Sequence, residues 1–161
     1  MRLNTLILLA TAGLAVAACE TASTDDAKLS GDGAAKDAVV NALEENFQST
    51  AGDKIFFDFN KSNIRHDAME TLKKQAEWMK KHGTLEGIIE GHCDVRGTAE
   101  YNMALGERRA HAAQKALIGL GIDAKRLDAT SMGKEHPAVA GMTEEAHAQN
   151  RRAVTVVAPK H

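Results

Sequence analysis

The 161-residue sequence lacks an excess of either charge. Its 20 Lys and Arg residues against 22 Asp and Glu residues give a formal net charge of −2. Such mild acidity argues against general attraction to nucleic acid or to anionic lipid. Internal repeats and low-complexity arrays are also missing, and the length suits one domain with a real core rather than two.

Cysteine is scarce, since Cys19 and Cys93 are the only two. We expect Cys19 to be modified, as argued below, so no intramolecular disulfide is predicted. Cys93 stands between His92 and Asp94, an order that suggests a metal ligand or a nucleophile. However, adjacent residues of a strand point to opposite faces, and the other histidines have no ligand-like spacing. We therefore predict no metal, no cofactor and a small, half-buried Cys93.

An apolar run occurs at the N-terminus, where it is short. A basic residue, Arg2, precedes an apolar segment too short to span a membrane with flanks of its own, which predicts a secretory signal over residues 1–18. Val16-Ala17-Ala18-Cys19 resembles the lipobox of bacterial lipoproteins, which implies cleavage before Cys19 and lipidation of its sulfur. By the same resemblance, Glu20 favours the outer membrane. The alternatives are an ordinary signal peptide or a buried apolar helix.

Residues 19–52 are rich in small and polar side chains and contain few large apolar ones before Val39. This composition predicts a lipidated N-terminus followed by a flexible tether. One short amphipathic helix is predicted over 38–47. The folded domain is then expected to occupy residues 53–161.

Within that domain, strand and helix periodicities alternate. Strands are predicted over 54–59, 85–92, 127–132 and 153–158, and helices over 66–82, 98–120 and 143–149. In the first strand Ile55, Phe57 and Phe59 are expected to share one face. The order β-α-β-α-β-(α)-β predicts an α/β (two-layer α+β) domain, with helices packed on one face of a small mixed sheet.

The most informative segment is residues 91–110, GHCDVRGTAEYNMALGERRA. It joins Asp94, at the end of a strand, to Arg109 in the following helix. If the turn between them brings the two charges together, the pair can hold a ligand that carries both an ammonium and a carboxylate. The alternative is that the two residues bridge each other, with the neighbouring arginines as solvated surface charge: Arg108, Arg151 and Arg152.

This segment resembles the OmpA-like peptidoglycan-binding domain. Further matching motifs follow in the family's order across residues 53–158: Phe57-Asp58-Phe59-Asn60-Lys61, Gly133-Lys134-Glu135 and Asn150-Arg151-Arg152-Ala153-Val154. Within the family the chain most resembles the lipid-anchored members that work with the Tol system. It departs from them at Asn60, Cys93 and Val95, and none of these departures removes a principal ligand contact.

The resemblance implies that the ligand is the meso-diaminopimelate of uncrosslinked peptide stems. Asp94 is then expected to bind its ammonium and Arg109 its carboxylate, at exposed sites worth about 1 kcal/mol per contact. Four further residues are implied as the pocket border or as nearby polar and backbone contacts: Asn60, Arg151, Asp58 and Phe59. A lysine stem lacks the second carboxylate and is expected to bind less well.

The resemblance also implies a location and partners. The protein is expected at the outer membrane, held by lipid on Cys19, with its domain in the periplasm. Its partners would be peptidoglycan and TolB, the periplasmic β-propeller protein of the Tol system, and its role envelope integrity and cell division.

Two competing hypotheses remain. A peptidoglycan hydrolase needs paired carboxylates or a zinc site, and no arrangement of Glu90, Glu100 or Glu107 singles itself out. We therefore predict that the protein is not an enzyme. The other hypothesis is an OmpA-like wall anchor that serves a different envelope machine.

Overall fold

The computed structural model describes residues 31–160, with side chains from residue 38 onward. The predicted signal peptide, residues 1–18, and the predicted lipidation site, Cys19, lie outside the described residues. No helix within residues 31–160 is long and apolar enough to cross a membrane.

The first described element is helix α1, Gly31–Thr50, which is longer than the helix predicted over 38–47. Its C-terminal end belongs to the core, because Phe47 and Ala51 are buried. The Phe47 ring packs edge-on against Trp78, with ring centroids 5.0 Å apart. The folded part of the chain therefore begins before the predicted tether boundary at residue 52.

Four strands form one mixed sheet. They are β1 Lys54–Phe56, β2 Leu85–His92, β3 Leu127–Gly133 and β4 Arg152–Pro159, arranged in the order β1-β4-β2-β3. Strand β4 is antiparallel to both of its neighbours, whereas β2 and β3 are parallel. A parallel pair requires a crossover connection, which helix α3, Ala99–Gly119, provides.

The other helices are α2, His66–Lys81, and α4, Glu144–Asn150, and a single turn of 3-10 helix leads into β3. Alternate residues of β2, including Ile89, are buried, and they share one core with residues of α2 and α3 such as Leu72 and Leu117. The predicted α/β architecture, helices with a small mixed sheet, is confirmed.

Strand β1 is shorter than predicted. It ends at Phe56, which is paired with Arg152, the first residue of β4. Beyond it, the Phe57 N–H donates at 2.9 Å to the carbonyl of Arg151, the residue before β4. Ile55 and Phe57 are both buried, but Phe59 is 57% exposed, so the prediction that Phe59 shares their face is wrong. Asn60 then takes a left-handed backbone conformation, φ 57°, which turns the chain toward the end of β2.

Helix α3 crosses β2 with the two backbones in contact. A Cβ added at Gly91 would lie 1.8 Å from the Gly106 carbonyl oxygen, and one added at Gly106 would lie 2.3 Å from Ser131 Oγ. Only glycine permits this approach. The contact fixes α3 on the sheet and brings Arg109, in the next turn of α3, to the C-terminal end of β2.

The Gly91→Ala variant is expected to lose about 1–3 kcal/mol or more of unfolding free energy, because its methyl group would collide with backbone atoms. Gly119→Ala is the matched control, since a Cβ there meets nothing within 4 Å and alanine favours the helix by up to about 1 kcal/mol. Urea unfolding of both variants measures the difference. Wild-type stability of Gly91→Ala would contradict the close crossing.

Candidate ligand-binding site

The turn between β2 and α3, residues 93–98, is held by residues of the helix that follows it. Thr98 caps α3, and its Oγ1 accepts from the Tyr101 N–H at 3.2 Å. The buried Asn102 amide donates to the carbonyls of Arg96 at 2.8 Å and Thr98 at 3.0 Å. Gly97 supplies a φ of 91° that side chains rarely adopt. The turn is thus fixed before any ligand arrives.

The Asp94 carboxylate lies at the base of this turn with only 6% of its side chain exposed. Arg96 donates to it three times, from its backbone N–H and Nε at 3.1 Å each and from Nη2 at 2.6 Å. Arg151 Nη1 adds a contact of 3.4 Å. Burial raises the pKa of Asp94, but the hydrogen bonds from the two arginines outweigh it, so the pKa lies below its ordinary value.

Arg109 is completely buried, with 0% exposure. Its guanidinium donates to the carbonyls of Lys61 at 2.9 Å, His92 at 2.7 Å and Asp58 at 3.3 Å, and to Cys93 Sγ at 3.4 Å. It also lies over the Phe57 ring, 5.2 Å from the centroid. Burial lowers the pKa of Arg109, although the group stays cationic because an arginine does not deprotonate in proteins.

The structure does not support the alternative in which Asp94 and Arg109 bridge each other. Within residues 31–160 the ion-pair partners of Asp94 are Arg96 and Arg151, whereas Arg109 is bound by carbonyls and a thiol. The expectation that both charged groups are exposed is also wrong. Asp94 and Arg109 are both buried, and each has its own hydrogen-bond partners.

Asp94 and Arg109 nevertheless border the same cavity, which has a volume of about 190 Å³. Its wall combines the turn, the first turns of α3 and the loop after β1: Phe59, Asn60, Cys93, Asp94, Arg96, Gly97, Tyr101, Asn102, Leu105 and Arg109. Four of the six predicted ligand residues lie in this wall, namely Phe59, Asn60, Asp94 and Arg109.

The remaining two predicted residues lie behind the wall. Arg151 donates to the Phe57 carbonyl at 3.1 Å, to Glu144 at 2.7 Å and to Asp94, so it supports Asp94. The Asp58 carbonyl accepts from Arg109, while its carboxylate lies 3.7 Å from Arg65 and does not border the cavity. Arg151 is buried, as is Arg152, so the interpretation of these two arginines as solvated charge is wrong.

Three charged, aromatic or amide side chains of the wall received no role in the sequence analysis, although all three stand within residues 91–110. Arg96 stacks its guanidinium on the Phe59 ring, 4.1 Å from the centroid. Tyr101 Oη donates to Asn60 Oδ1, and together they form the rim. Asn102 closes the turn. The sequence does carry a signal for the role of Asn102. An asparagine four residues after a threonine that caps a helix can donate from its side chain to the carbonyls of the preceding turn.

Cys93 lines the cavity, but its thiol is not in a reactive environment. The thiol is buried and donates to the Asn102 carbonyl at 3.4 Å. Burial raises the pKa of the Cys93 thiol, so the nucleophilic thiolate is disfavoured. Within the described residues 31–160, no cluster of His, Cys, Asp or Glu could hold a metal ion.

The His92 side chain points away from this cavity, into a separate depression beside Arg152 and His136. The residue is 3% exposed, and the Glu90 carboxylate lies 3.5 Å from its Nε2. Burial, reinforced by the Arg152 charge, lowers the pKa of His92 to about 4. The folded protein therefore holds this imidazole neutral.

His92 is expected to make the fold acid-sensitive. The unfolded chain binds a proton near pH 6.5 and the folded chain near pH 4, so stability is complete above pH 6.5 and falls as the pH drops toward 4. The slope from this residue is about 1.4 kcal/mol per pH unit. Urea unfolding at pH 7 and at pH 4.5 measures how much unfolding free energy is lost on acidification. This loss should be smaller in His92→Phe than in the wild type. The exposed His111 provides the control, and an equal loss in His111→Phe and His92→Phe would refute the assignment.

Comparison with known proteins gives a consistent picture. Residues 56–151 match the OmpA family. The chain is 40% identical over 158 residues to a peptidoglycan-associated lipoprotein of Mesorhizobium japonicum, covering 96% of this chain and 92% of that protein. It is 41% identical over 122 residues to the peptidoglycan-associated lipoprotein of Pseudomonas aeruginosa, covering 76% of this chain and 72% of that one.

A solved structure is similar as well. The crystal structure of the peptidoglycan-associated lipoprotein from Burkholderia pseudomallei superposes with a TM-score of 0.67 at 36% identity. The match covers 70% of this chain and 98% of that chain. The similarity thus extends over nearly the whole of a solved relative.

Proposed function

The chain belongs to the OmpA family, among its peptidoglycan-associated lipoproteins, and from this membership we propose that the cavity binds the diaminopimelate side chain of uncrosslinked peptidoglycan stems. Asp94 accepts from the ligand ammonium, and Arg109 donates to the ligand carboxylate. One observation carries the proposal: the two buried charges border one cavity and do not pair with each other.

Arg109 is suited to a carboxylate because its present acceptors are neutral. Its four hydrogen bonds use four of the five guanidinium N–H groups and leave one for a ligand. A bond from this cation to a carboxylate is charge-assisted and stronger than one to a carbonyl. The same four bonds hold the guanidinium still, so little side-chain entropy is lost on binding.

The size of the cavity favours the end of one side chain. At about 190 Å³ it accommodates the terminal ammonium and carboxylate of diaminopimelate rather than a whole peptide. The rest of the stem would lie over the rim, where Phe59 and Tyr101 offer exposed aromatic faces. A lysine stem presents the ammonium alone and leaves Arg109 without its ligand partner.

The site supports a role as an anchor between outer membrane and cell wall. In this proposal acylated Cys19 holds the protein in the outer membrane, the domain lies in the periplasm, and TolB binds it as part of the Tol–Pal system that maintains the envelope during division. A single small site gives modest affinity. Many copies confined beside the wall raise the effective concentration of binding sites, and together they attach the outer membrane to the wall.

Ligand discrimination tests the site directly. A tripeptide ending in meso-diaminopimelate should bind the domain at least about tenfold more tightly than its lysine counterpart, because one charge-assisted bond is lost in the latter. Calorimetric titration of residues 31–161 with both peptides measures the ratio. Equal affinities would defeat the assignment of Arg109 as the carboxylate ligand.

A variant pair controls for the position of the charge. Arg109→Lys keeps the charge but loses the planar fork, so it should bind the diaminopimelate peptide at least about tenfold more weakly. Arg108→Lys makes the same change at the exposed neighbour and should bind normally. Thermal unfolding identifies any loss of fold, since Arg109 also holds three carbonyls.

The membrane and partner assignments have their own test. The Cys19→Ser variant should leave the membrane fraction, because no acyl chain can be attached to its hydroxyl by the thioether route. Wild-type protein should co-purify with the Tol-system β-propeller protein. A membrane-bound Cys19→Ser variant would contradict the lipid anchor. Failure to recover the propeller would favour a different envelope machine without affecting the wall-binding site.

A further inference from the structure

We propose that Arg96 is a built-in competitor for the ligand ammonium: its guanidinium occupies the Asp94 oxygens, and ligand binding transfers it to Glu144. This inference rests on the proposed function of the site. It concerns a residue that determines how tightly the cavity binds a ligand with an ammonium group.

The Asp94 carboxylate has no acceptor capacity to spare. A carboxylate offers about four lone-pair sites, and Asp94 already accepts four hydrogen bonds, three from Arg96 and one from Arg151. An ammonium can reach these oxygens only if one of the two guanidinium groups withdraws.

Arg96 is the group that can withdraw. Its side chain is 36% exposed, and its guanidinium lies over the Phe59 ring at the rim of the cavity. The Arg151 side chain is 9% exposed and is held from behind by the Phe57 carbonyl at 3.1 Å. Displacing Arg151 would require moving a buried side chain that the Phe57 carbonyl and Glu144 hold in place, whereas Arg96 can move away from Asp94 into solvent.

The structure also contains the place to which Arg96 moves. Its Nη1 already lies 3.2 Å from Glu144 Oε2, on a side chain that is 61% exposed in the first turn of α4. The Phe59 ring lies under the same guanidinium. Arg96 can therefore leave Asp94 while it keeps an ionic partner and an aromatic contact, so the exchange requires a change in its side-chain torsions and no rearrangement of the turn.

Competition of this kind acts on the ammonium and not on the carboxylate. A ligand with only a carboxylate contacts Arg109 and leaves the Asp94–Arg96 pair intact. A ligand with both groups must displace Arg96, and this cost lowers its affinity. Arg96 thus keeps binding weak and reversible while the rest of the site selects the ligand.

The test is the Arg96→Gln variant, titrated with two tripeptides. One ends in meso-diaminopimelate, and the other ends in 2-aminopimelate, which keeps the terminal carboxylate but lacks the adjacent amine. Arg96→Gln should bind the first peptide roughly threefold to tenfold more tightly than wild type, the range of a part-exposed ion pair, and should bind the second unchanged. Arg65→Gln is the control, since Arg65 is 43% exposed and pairs with Asp58 and Asp67 outside the cavity.

Glu144→Gln should have the opposite effect. Without the second carboxylate Arg96 is held more firmly on Asp94, so affinity for the diaminopimelate peptide should fall roughly threefold. In the double variant Arg96→Gln/Glu144→Gln this loss should shrink, because the competitor is gone. A merely structural contribution of Glu144 would persist in the double variant.

The outcomes separate this inference from the proposed function. If Arg96→Gln binds the diaminopimelate peptide as wild type does or more weakly, the competition is refuted while the site stands. If wild-type protein binds neither peptide, the proposed function itself fails. Thermal unfolding accompanies each titration. Should Arg96→Gln fail to fold, Glu144→Gln carries the test. An unchanged affinity in Glu144→Gln then overturns the inference.

Discussion

The site depends on one buried cation held by neutral acceptors. The Arg109 guanidinium joins the carbonyls of Asp58 and Lys61, in the loop after β1, to that of His92, at the end of β2. These segments are far apart in sequence, and their shared donor keeps the loop over the cavity. Burial of an unpaired charge is costly, and the carbonyls satisfy its N–H groups without neutralising it. The Arg109 guanidinium therefore keeps a positive potential, which can attract a carboxylate.

The elements of the fold were largely visible in the sequence, and the misses have a common cause. Thr98 and Thr143, the first residues of two predicted helices, cap those helices in the structure, and a cap depends on a residue only three positions away. Phe59 was misplaced since alternation assigns a face only while the strand continues. Strand β1 stops where its partner β4 begins at Arg152, and that limit is set by a segment near the other end of the chain.

The site was predictable in its charges and not in its contacts. Asp94 and Arg109 stand out as side chains, but the acceptors of Arg109 are backbone carbonyls, which every residue carries and no pattern marks. The family resemblance implied Arg151 as a pocket-border residue, and the alternative interpretation took Arg151 and Arg152 as two solvated charges at the start of a strand. Neighbouring strand residues point to opposite faces, and here both faces are covered, one by the Asp94 cluster and the other by the loop at His136.

The charge balance of the cavity determines what kind of recognition it can perform. Asp94 and Glu144 are matched by Arg96 and Arg151, so these four groups sum to zero, and Arg109 adds one positive charge. The proposed ligand tip, with one ammonium and one carboxylate, is also neutral, so its binding would leave the net charge of the site unchanged. Long-range attraction between such partners is weak and screened by salt within about 8–10 Å. Selectivity must therefore come from short contacts that place each charge of the ligand next to a protein group of opposite charge. For this reason the fixed positions of the turn and of Arg109 matter more than the total charge of the site.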